Sequence, residues 1–387
     1  TACFYKSIFQ RAYKQFPLMH VNGQAGSGKC LGRDTLVLRS DGTSVPVQDV
    51  QTGEFLLGPD GQPRKVLSVC SGREMLYRVT PVKGQAYVVN ASHILSLRKS
   101  EAAAFTLSDG SRIEKGADVV NVNVVTYMNS MTSTRKALKG WRSGEVSFHR
   151  PEEVLLLDPY WLGCWLGDGA QEGPTLYKPA CAMTAWWEAH AKAHGCSVSV
   201  HQSQNTDCPG WAVVRPTGVG SSALNSNPFT RHLRAYGLIK NKHIPDSFKY
   251  GSVRTRLRLL AGLLDSDGSL TGSSCYDWIS KDQKLAEDFA FVSRSLGFAC
   301  YVTATTKRIK ATGFEGTYWR CSLSGDVDRI PCLDKKASPR KQVKRHLVTG
   351  IKVQPIGEGD YFGFELDGDR LFLLGDFTVT HNTQMSM

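Results

Sequence analysis

Cys30 stands where a phosphate loop needs a hydroxyl. The stretch "HVNGQAGSGKC" (20–30) fits G-x-x-x-x-G-K at Gly23, Gly28 and Lys29, after an apolar run, Phe16 to Val21, that reads as the preceding strand. Ser or Thr should follow to hold Mg²⁺, and a thiol is a soft, poor ligand for that hard cation. Near the other end, His381, Asn382 and Thr383 are adjacent. Joining Lys29 directly to Thr383 would complete the loop as "GSGKTQMS". The segment thereby removed begins with Cys and ends with His-Asn, residue types suited to self-catalysed excision. Cys30 sulfur can attack the Lys29 carbonyl and convert the peptide bond to a thioester. Thr383 oxygen can then take over the upstream segment as a branched ester. Asn382 can cyclise onto its own carbonyl and cut the 382–383 bond, with His381 supplying protons. An ester-to-amide shift leaves a peptide bond between Lys29 and Thr383. The competing reading is a P-loop NTPase with a regulatory insert.

A second set of chemistry-bearing residues lies mid-chain. "WLGCWLGDG" (161–169) and "LAGLLDSDG" (260–268) align without gaps, Gly163 with Gly262 and Gly167 with Ser266. Small residues four apart let two helix backbones approach closely. Packed side by side, the two segments would bring Asp168 and Asp267 together at their C-terminal ends. Carbonyls there carry partial negative charge and add to the attraction for a cation. Paired carboxylates holding Mg²⁺ beside a phosphodiester suit metal-assisted strand cleavage. The nearby Cys181, His190, His194, Cys196, His201 and Cys208 match no standard zinc spacing, and "TAWWEAHAKAHG" reads as an amphipathic helix with exposed histidines.

Both sets need elements to position them. From Cys30, short β-prone runs alternate with Asp-Gly and Pro-Asp-Gly turns and predict a compact all-β module. Residues 126–152 are polar and weakly periodic, as a linker would be. Residues 153–335 mix helix-like and strand-like segments, 336–346 is a basic connector, and β alternation returns in "DYFGFELDGDRLFLLGDFTVTHN". That layout predicts one domain inserted in another. The chain of 387 residues carries a formal charge of +12, spread as +4 over 1–29, +5 over 30–150, +2 over 151–335 and +1 over 336–387. The excess allows a nucleic-acid partner without locating its surface. No apolar run approaches membrane-spanning length, so no membrane partner is expected. Eleven cysteines at irregular spacings, with no secretory layout, point to reduced thiols in a cytoplasmic, intracellular setting.

Residues 30–382 resemble an intein of the hedgehog/intein fold, on "CLGRDTLVLRSDG", "VVNASHIL", "DYFGFELDGDRLFLLGDFTV" and "THN". The resemblance implies that His93 activates the Lys29–Cys30 bond by protonating its nitrogen, and that splicing needs no cofactor. Two positions depart from the family pattern. Its T-x-x-H is Asn90-x-x-His93 here, where Asn90 can keep the hydrogen-bonding role. The residue after the aromatic pair, Asp in many inteins, is Gly363. The middle resembles the LAGLIDADG homing endonucleases, and Lys242 in "NKHIPDSF" matches the lysine that the family places ahead of its second motif. Its implied role is to stabilise charge at the scissile phosphate.

The fold so implied is an all-β hedgehog/intein horseshoe interrupted by an α+β LAGLIDADG domain of two αββαββα-type repeats. The expected divisions are 1–29 (upstream host fragment), 30–150 (first part of the splicing domain and linker), 151–335 (endonuclease), 336–382 (second part of the splicing domain) and 383–387 (downstream host fragment). The implied activities are self-excision and Mg²⁺-dependent cutting of the uninterrupted host gene. The implied partners are double-stranded DNA and the flanking segments of a P-loop ATPase, with the chain acting as a monomer. A splicing element with an inactive endonuclease is the nearer alternative.

Overall fold

The computed structural model describes residues 30–100, 104–202, 208–215, 227–309 and 314–382. Short strands of alternating burial build the outer domain. Strands β1 (Leu31–Gly32), β2 (Pro63–Pro81), β3 (Tyr87–Asn90) and, beyond the insert, β4 (Ile351–Leu366) join Phe55–Leu57 in one sheet, ordered β4–β1–β3–β2–(Phe55–Leu57). β4 also pairs β2 along most of its length, from Ile351 opposite Pro81 to Leu366 opposite Val66, so the sheet closes on itself. Register shifts at Pro355/Gly357 and Glu365/Leu366 supply bends in these long strands. Alternate residues, among them Val66, Val79, Val89 and Phe364, point into one buried core.

The stretch read as a linker is largely ordered structure. It holds the helices Val124–Asn129 and Thr132–Ala137 and the strand Leu138–Trp141, which pairs with Ile94–Lys99 and with Val348–Thr349. Asn123 caps the first helix, its side chain accepting from the N–H groups of Val125 and Thr126. Each element is six residues or fewer, too short for a period to show in sequence.

In the insert, helices α1 (Pro159–Asp168) and α2 (Val253–Asp267) lie against each other. A Cβ on Gly163 would come within 2.3 Å of Leu259 O, and one on Gly262 within 2.2 Å of Tyr160 O. Backbone therefore meets backbone at this crossing, and only glycine fits. Each helix leads into an antiparallel sheet. The first has three strands, Thr175–Tyr177, Pro209–Val214 and Ser197–Gln202 in spatial order. The second has four, Ser269–Thr271, Cys275–Ser280, Phe314–Ser324 and Ala299–Ile309. The strand that should open the first repeat is reduced to a single bridge, Gly169 opposite Leu176. Gly173 and Pro174 turn the chain there and leave few residues able to pair. In the first repeat the helix Ala182–Ala193 stacks Trp187 on Trp161 of α1 at 4.5 Å, and in the second the helix Gln283–Ser295 stacks Phe289 on Trp278 of the sheet at 4.7 Å.

The two domains meet at a buried ion pair. Arg142 donates to Asp376 Oδ2 at 3.1 Å within the outer domain and to Tyr301 Oη at 3.3 Å in the insert. Among the described residues, no helix is long and apolar enough to cross a membrane.

Candidate functional site

Strand β1 carries the upstream seam into the middle of the closed sheet. Leu31 lies opposite Phe362 of β4 on one side and Val89 of β3 on the other, so Cys30 is buried, 1% exposed. The Cys30 N–H donates to Asn90 Oδ1 at 2.9 Å, and the Asn90 N–H donates to the Cys30 carbonyl at 3.2 Å. Asn90 Nδ2 donates in turn to Glu74 Oε2 at 2.9 Å, which fixes the orientation of the amide. Asn90 thus grips the backbone of Cys30 at both polar atoms.

His93 follows in the turn after β3, fully buried, its N–H donating to Asn90 O. Its Nε2 hydrogen-bonds Thr380 Oγ1 at 2.8 Å, across a separation of 287 residues. Thr380 lies in the strand Val379–His381, which pairs Leu371–Leu373 with His381 opposite Leu371. Asn382 comes next, 2% exposed. Its N–H donates to Arg370 O at 2.7 Å, and its side-chain amide donates to Phe364 O on β4. The upstream and downstream ends of the excisable segment therefore share one buried centre. Gly23, Gly28, Lys29 and Thr383 lie outside the described residues.

Gly363 acquires a reason in this arrangement. It sits opposite Cys70 in the β2–β4 register, and a Cβ there would be 2.4 Å from Cys30 Sγ. Any side chain at 363 would press on Cys30. Cys70 Sγ fills the vicinity instead, 3.6 Å from Cys30 Sγ. The hydrogen bond between them, aided by burial, pushes the Cys30 thiol far up, and the same bond draws the half-buried Cys70 thiol down against the opposing effect of burial.

The second centre lies at the C-terminal ends of α1 and α2. Gly167 and Ser266 are in contact there, since a Cβ on Gly167 would reach Ser266 Oγ at 2.1 Å. Asp168 and Asp267 follow directly. Burial, then the charge and hydrogen bonding of Asp168, push Asp267 up to about 6, against the opposing pull of Lys178 and Lys242. Lys242 Nζ donates to the carbonyls of Leu166, Gly167 and Gly169, and burial brings it down to about 8. Lys335 Nζ does the same for α2, donating to Leu264 O and Ser266 O. Lys178 Nζ bonds both Asp168 Oδ2 at 2.7 Å and Ser266 O. Two carboxylates on separate helices suit a hard divalent ion that draws its remaining ligands from water and substrate phosphate. The groove beside them is lined by Gly167, Lys242, Asp267, Ser280 and Tyr318.

Sequence reasoning missed several of these residues. Lys335 follows Asp267 at nearly the remove at which Lys242 follows Asp168, so the internal repeat held a signal for it. It is positioned by Asp265, which accepts from the N–H groups of Leu333, Asp334 and Lys335 and from Tyr160 Oη. Lys178, Cys70, Glu74 and Thr380 carried no signal, because strand pairing alone brings them in. In the His/Cys stretch, His194 and His201 are exposed as expected, while His190 is partly covered, lying between Trp186 and His194 at 4.7 and 4.4 Å between ring centroids.

Residues 30–153 match a family model described as "Hom_end-associated Hint". Over 385 residues the chain is 28% identical to a replicative DNA helicase, DnaB, of Mycobacterium intracellulare. The match takes in 95% of this chain and 61% of that protein, so the chain spans about three-fifths of the curated relative's length. Among solved structures it is similar to mesophilic variants of the homing endonuclease I-DmoI, with 13% identity, 43% of this chain and 87% of that one covered, and a TM-score of 0.28. It is also similar to the zinc-bound splicing domain of the Msm DnaB1 intein, with 26% identity, 24% and 81% covered, and a TM-score of 0.16. The family match assigns residues 30–153 to a Hint domain of the type associated with homing endonucleases, and the two ends of the segment 30–382 are brought to one buried centre.

Proposed function

We propose that residues 30–382 excise themselves and join Lys29 to Thr383. Cys30 sulfur adds to the Lys29 carbonyl, and the Lys29–Cys30 C–N bond breaks as the Cys30 nitrogen takes a proton from His93. Thr383 oxygen displaces the Cys30 thiol from the thioester. The Asn382 side-chain nitrogen then attacks the Asn382 carbonyl, and the amine of Thr383 leaves with a proton from His381. That amine attacks the new ester and forms the Lys29–Thr383 peptide bond. The observation that carries this reading is the 2.8 Å bond from His93, which is tied to Cys30 through Asn90, to Thr380, two residues before Asn382. It joins the groups of the first step to those of the last, so little searching separates the steps.

The test is expression of the 387-residue chain in reductant. Release of a 30–382 species and a short joined peptide is expected, with loss of ligation in Cys30→Ala and Asn382→Ala. Persistence of the full chain alone, after long incubation, would reject the reading.

The inserted domain is proposed to cut double-stranded DNA at the uninterrupted site encoding "GSGKTQMS". Asp168 and Asp267 would hold Mg²⁺, which supplies charge stabilisation at the scissile phosphate. Lys242 and Lys335 stand beside them to meet the developing negative charge. Asp267→Asn should abolish cutting and leave excision unchanged. Retained cutting would discard that metal assignment. The name of the curated relative supports a replicative-helicase type of ATPase as host, its phosphate loop completed by Gly23, Gly28, Lys29 and Thr383 only after excision. The proposed division is the one read from sequence, with endonuclease at 151–335 between the two splicing-domain parts, and the proposed setting is intracellular and reducing.

A further inference from the structure

We propose that Thr380 is a positioning residue for the first step of excision: its hydroxyl oxygen accepts the Nε2 proton of His93 and so reserves Nδ1 for the chemistry at Cys30. The inference rests on the reading of residues 30–382 as self-excising. His93 Nε2 and Thr380 Oγ1 are 2.8 Å apart, and both residues are wholly buried. A ring nitrogen meets one partner in the ring plane, so the nitrogen that faces Thr380 cannot also serve Cys30. Both partners are fixed from the backbone. The His93 N–H donates to Asn90 O, the His93 carbonyl accepts from the Val124 N–H at 2.9 Å, and Asn123 Nδ2 donates to Ala91 O at 3.0 Å. Thr380 lies opposite Phe372 in the pairing of Val379–His381 with Leu371–Leu373, and its β-branched side chain has few rotamers.

A neutral imidazole carries one N–H and one lone pair. With the hydrogen on Nε2, the lone pair is on Nδ1, and the first step needs it. The hydrogen bond with Cys70, then burial, holds the Cys30 thiol far above its ordinary value, so the sulfur does not ionise unaided. Nδ1 takes the Cys30 proton as the sulfur adds to the Lys29 carbonyl. It returns that proton to the Cys30 nitrogen as the C–N bond breaks. The Nε2 proton stays with Thr380 throughout. The ring is charged only between the two transfers, when the bond to the hydroxyl oxygen is strongest. In the opposite tautomer Nδ1 already holds a hydrogen and cannot receive the thiol proton.

Thr380 also belongs to the strand that runs into Asn382. His93 is therefore set for the first step only when the downstream end is docked. A thioester formed before that would meet water ahead of Thr383, and hydrolysis would sever the chain.

The experiment has two arms on the full chain, with Asn382→Ala and Thr383→Ala present so that only the first step can run. In the first, release of residues 1–29 by dithiothreitol is timed. Thr380→Val, which keeps the shape and removes the hydroxyl, should slow release by roughly 10²-fold. Thr380→Ser keeps a hydroxyl and should stay within ~3-fold of the parent. In the second, nitrogen NMR of isotope-labelled histidine, assigned with His93→Gln, reads the ring directly. The neutral His93 ring should be protonated at Nε2 in the parent and in Thr380→Ser, and shifted toward the Nδ1 form in Thr380→Val. The histidines of the insert should keep their signals in each variant, which separates a lost hydroxyl from a lost fold. Release from Thr380→Val at the parent rate, Thr380→Ser as slow as Thr380→Val, or a parent ring protonated at Nδ1 would overturn the proposal. A parent that the thiol never cleaves would instead overturn the splicing reading, which the NMR arm does not depend on.

Discussion

At the seams the groups proposed to react are buried and held by strand register. Cys30, His93 and Asn382 are all at or below 2% exposure, and each is gripped through main-chain bonds to neighbouring strands. At the ends of α1 and α2 the groups are charged and border an open groove, with two carboxylates among three lysines. The contrast follows from what each centre must reach. The seam chemistry acts on the chain's own backbone, so nothing has to enter, and water that would hydrolyse a thioester is best kept out. The centre proposed for DNA would have to admit a polyanion and a metal, and its charges border the groove, balanced by lysines. In both centres glycine creates the close approach: Gly363 under Cys30, Gly163 against Gly262.

Separate construction predicts separate failure. The largest effect should come from Gly262→Val. Its added carbons meet Tyr160 O at the helix crossing, where neither backbone can yield, so α1 and α2 must part. Overpacking of this kind costs about 1–3 kcal/mol or more, and the spacing of Asp168 and Asp267 is lost with it. DNA cutting should fall below detection while excision continues at close to the parent rate. Loss of both activities together would show the two centres to be mechanically coupled. Gly363→Val is the reciprocal change. Its Cβ falls 2.4 Å from Cys30 Sγ and displaces the nucleophile. Excision should slow by roughly 10²-fold, as expected for ångström-scale misplacement of a reacting group, with DNA cutting unchanged. A variant that splices normally would mean that Cys30 has room the structure does not show.

Lys178→Met tests the charge balance of the DNA centre alone. The Lys178 ammonium already occupies one oxygen of Asp168. Its removal leaves two close carboxylates with less compensation, and should lower the metal-free stability of the insert by ~1–2 kcal/mol. That corresponds to a fall of roughly 3–6 °C in unfolding midpoint for a domain of this size. Mg²⁺ should then raise the midpoint more in the variant than in the parent, because no ammonium has to be displaced. An equal Mg²⁺ response in both would place the ion away from Asp168. A parent that shows no response to Mg²⁺ at all would favour the inactive endonuclease.

The comparison also explains what the sequence disclosed. Cys30, His381 and Asn382 are legible because they adjoin the chain's own seams, and Asp168 and Asp267 because a helix repeat marks them. The helix crossing was likewise written in Gly163 and Gly262, four residues before Gly167 and Ser266. Cys70, Glu74 and Thr380 were not legible. Each arrives through pairing of strands distant in sequence, and register is a property of the folded sheet rather than of a local pattern. The same holds for 126–152, where elements of six residues or fewer pack into the outer domain without leaving a period to read. Gly363, a departure from the family pattern in sequence, became intelligible only when the β2–β4 register set it against Cys30.

The smallest predicted effect separates the domains by acidity. His190 is pushed down to about 4, first by burial and then by the charge of His194, with Arg258 acting the same way and Asp158 opposing. An unfolded histidine titrates near ~6.5. Below that pH the unfolded chain binds a proton that the folded insert refuses, so stability is intact above ~6.5 and declines as pH falls toward about 4. The ring is partly open to water, and with that screening the loss should stay under ~1 kcal/mol. Seven of the eight tryptophans lie within 161–319, so indole fluorescence reports on the insert. Its unfolding midpoint should drop between pH 6.5 and 4, and His190→Gln should flatten this limb. The same substitution should leave the rate of excision at neutral pH untouched, because the stacked histidines belong to the insert and not to the buried sheet that carries the seams. Identical pH slopes in parent and variant would assign the acid sensitivity to another group.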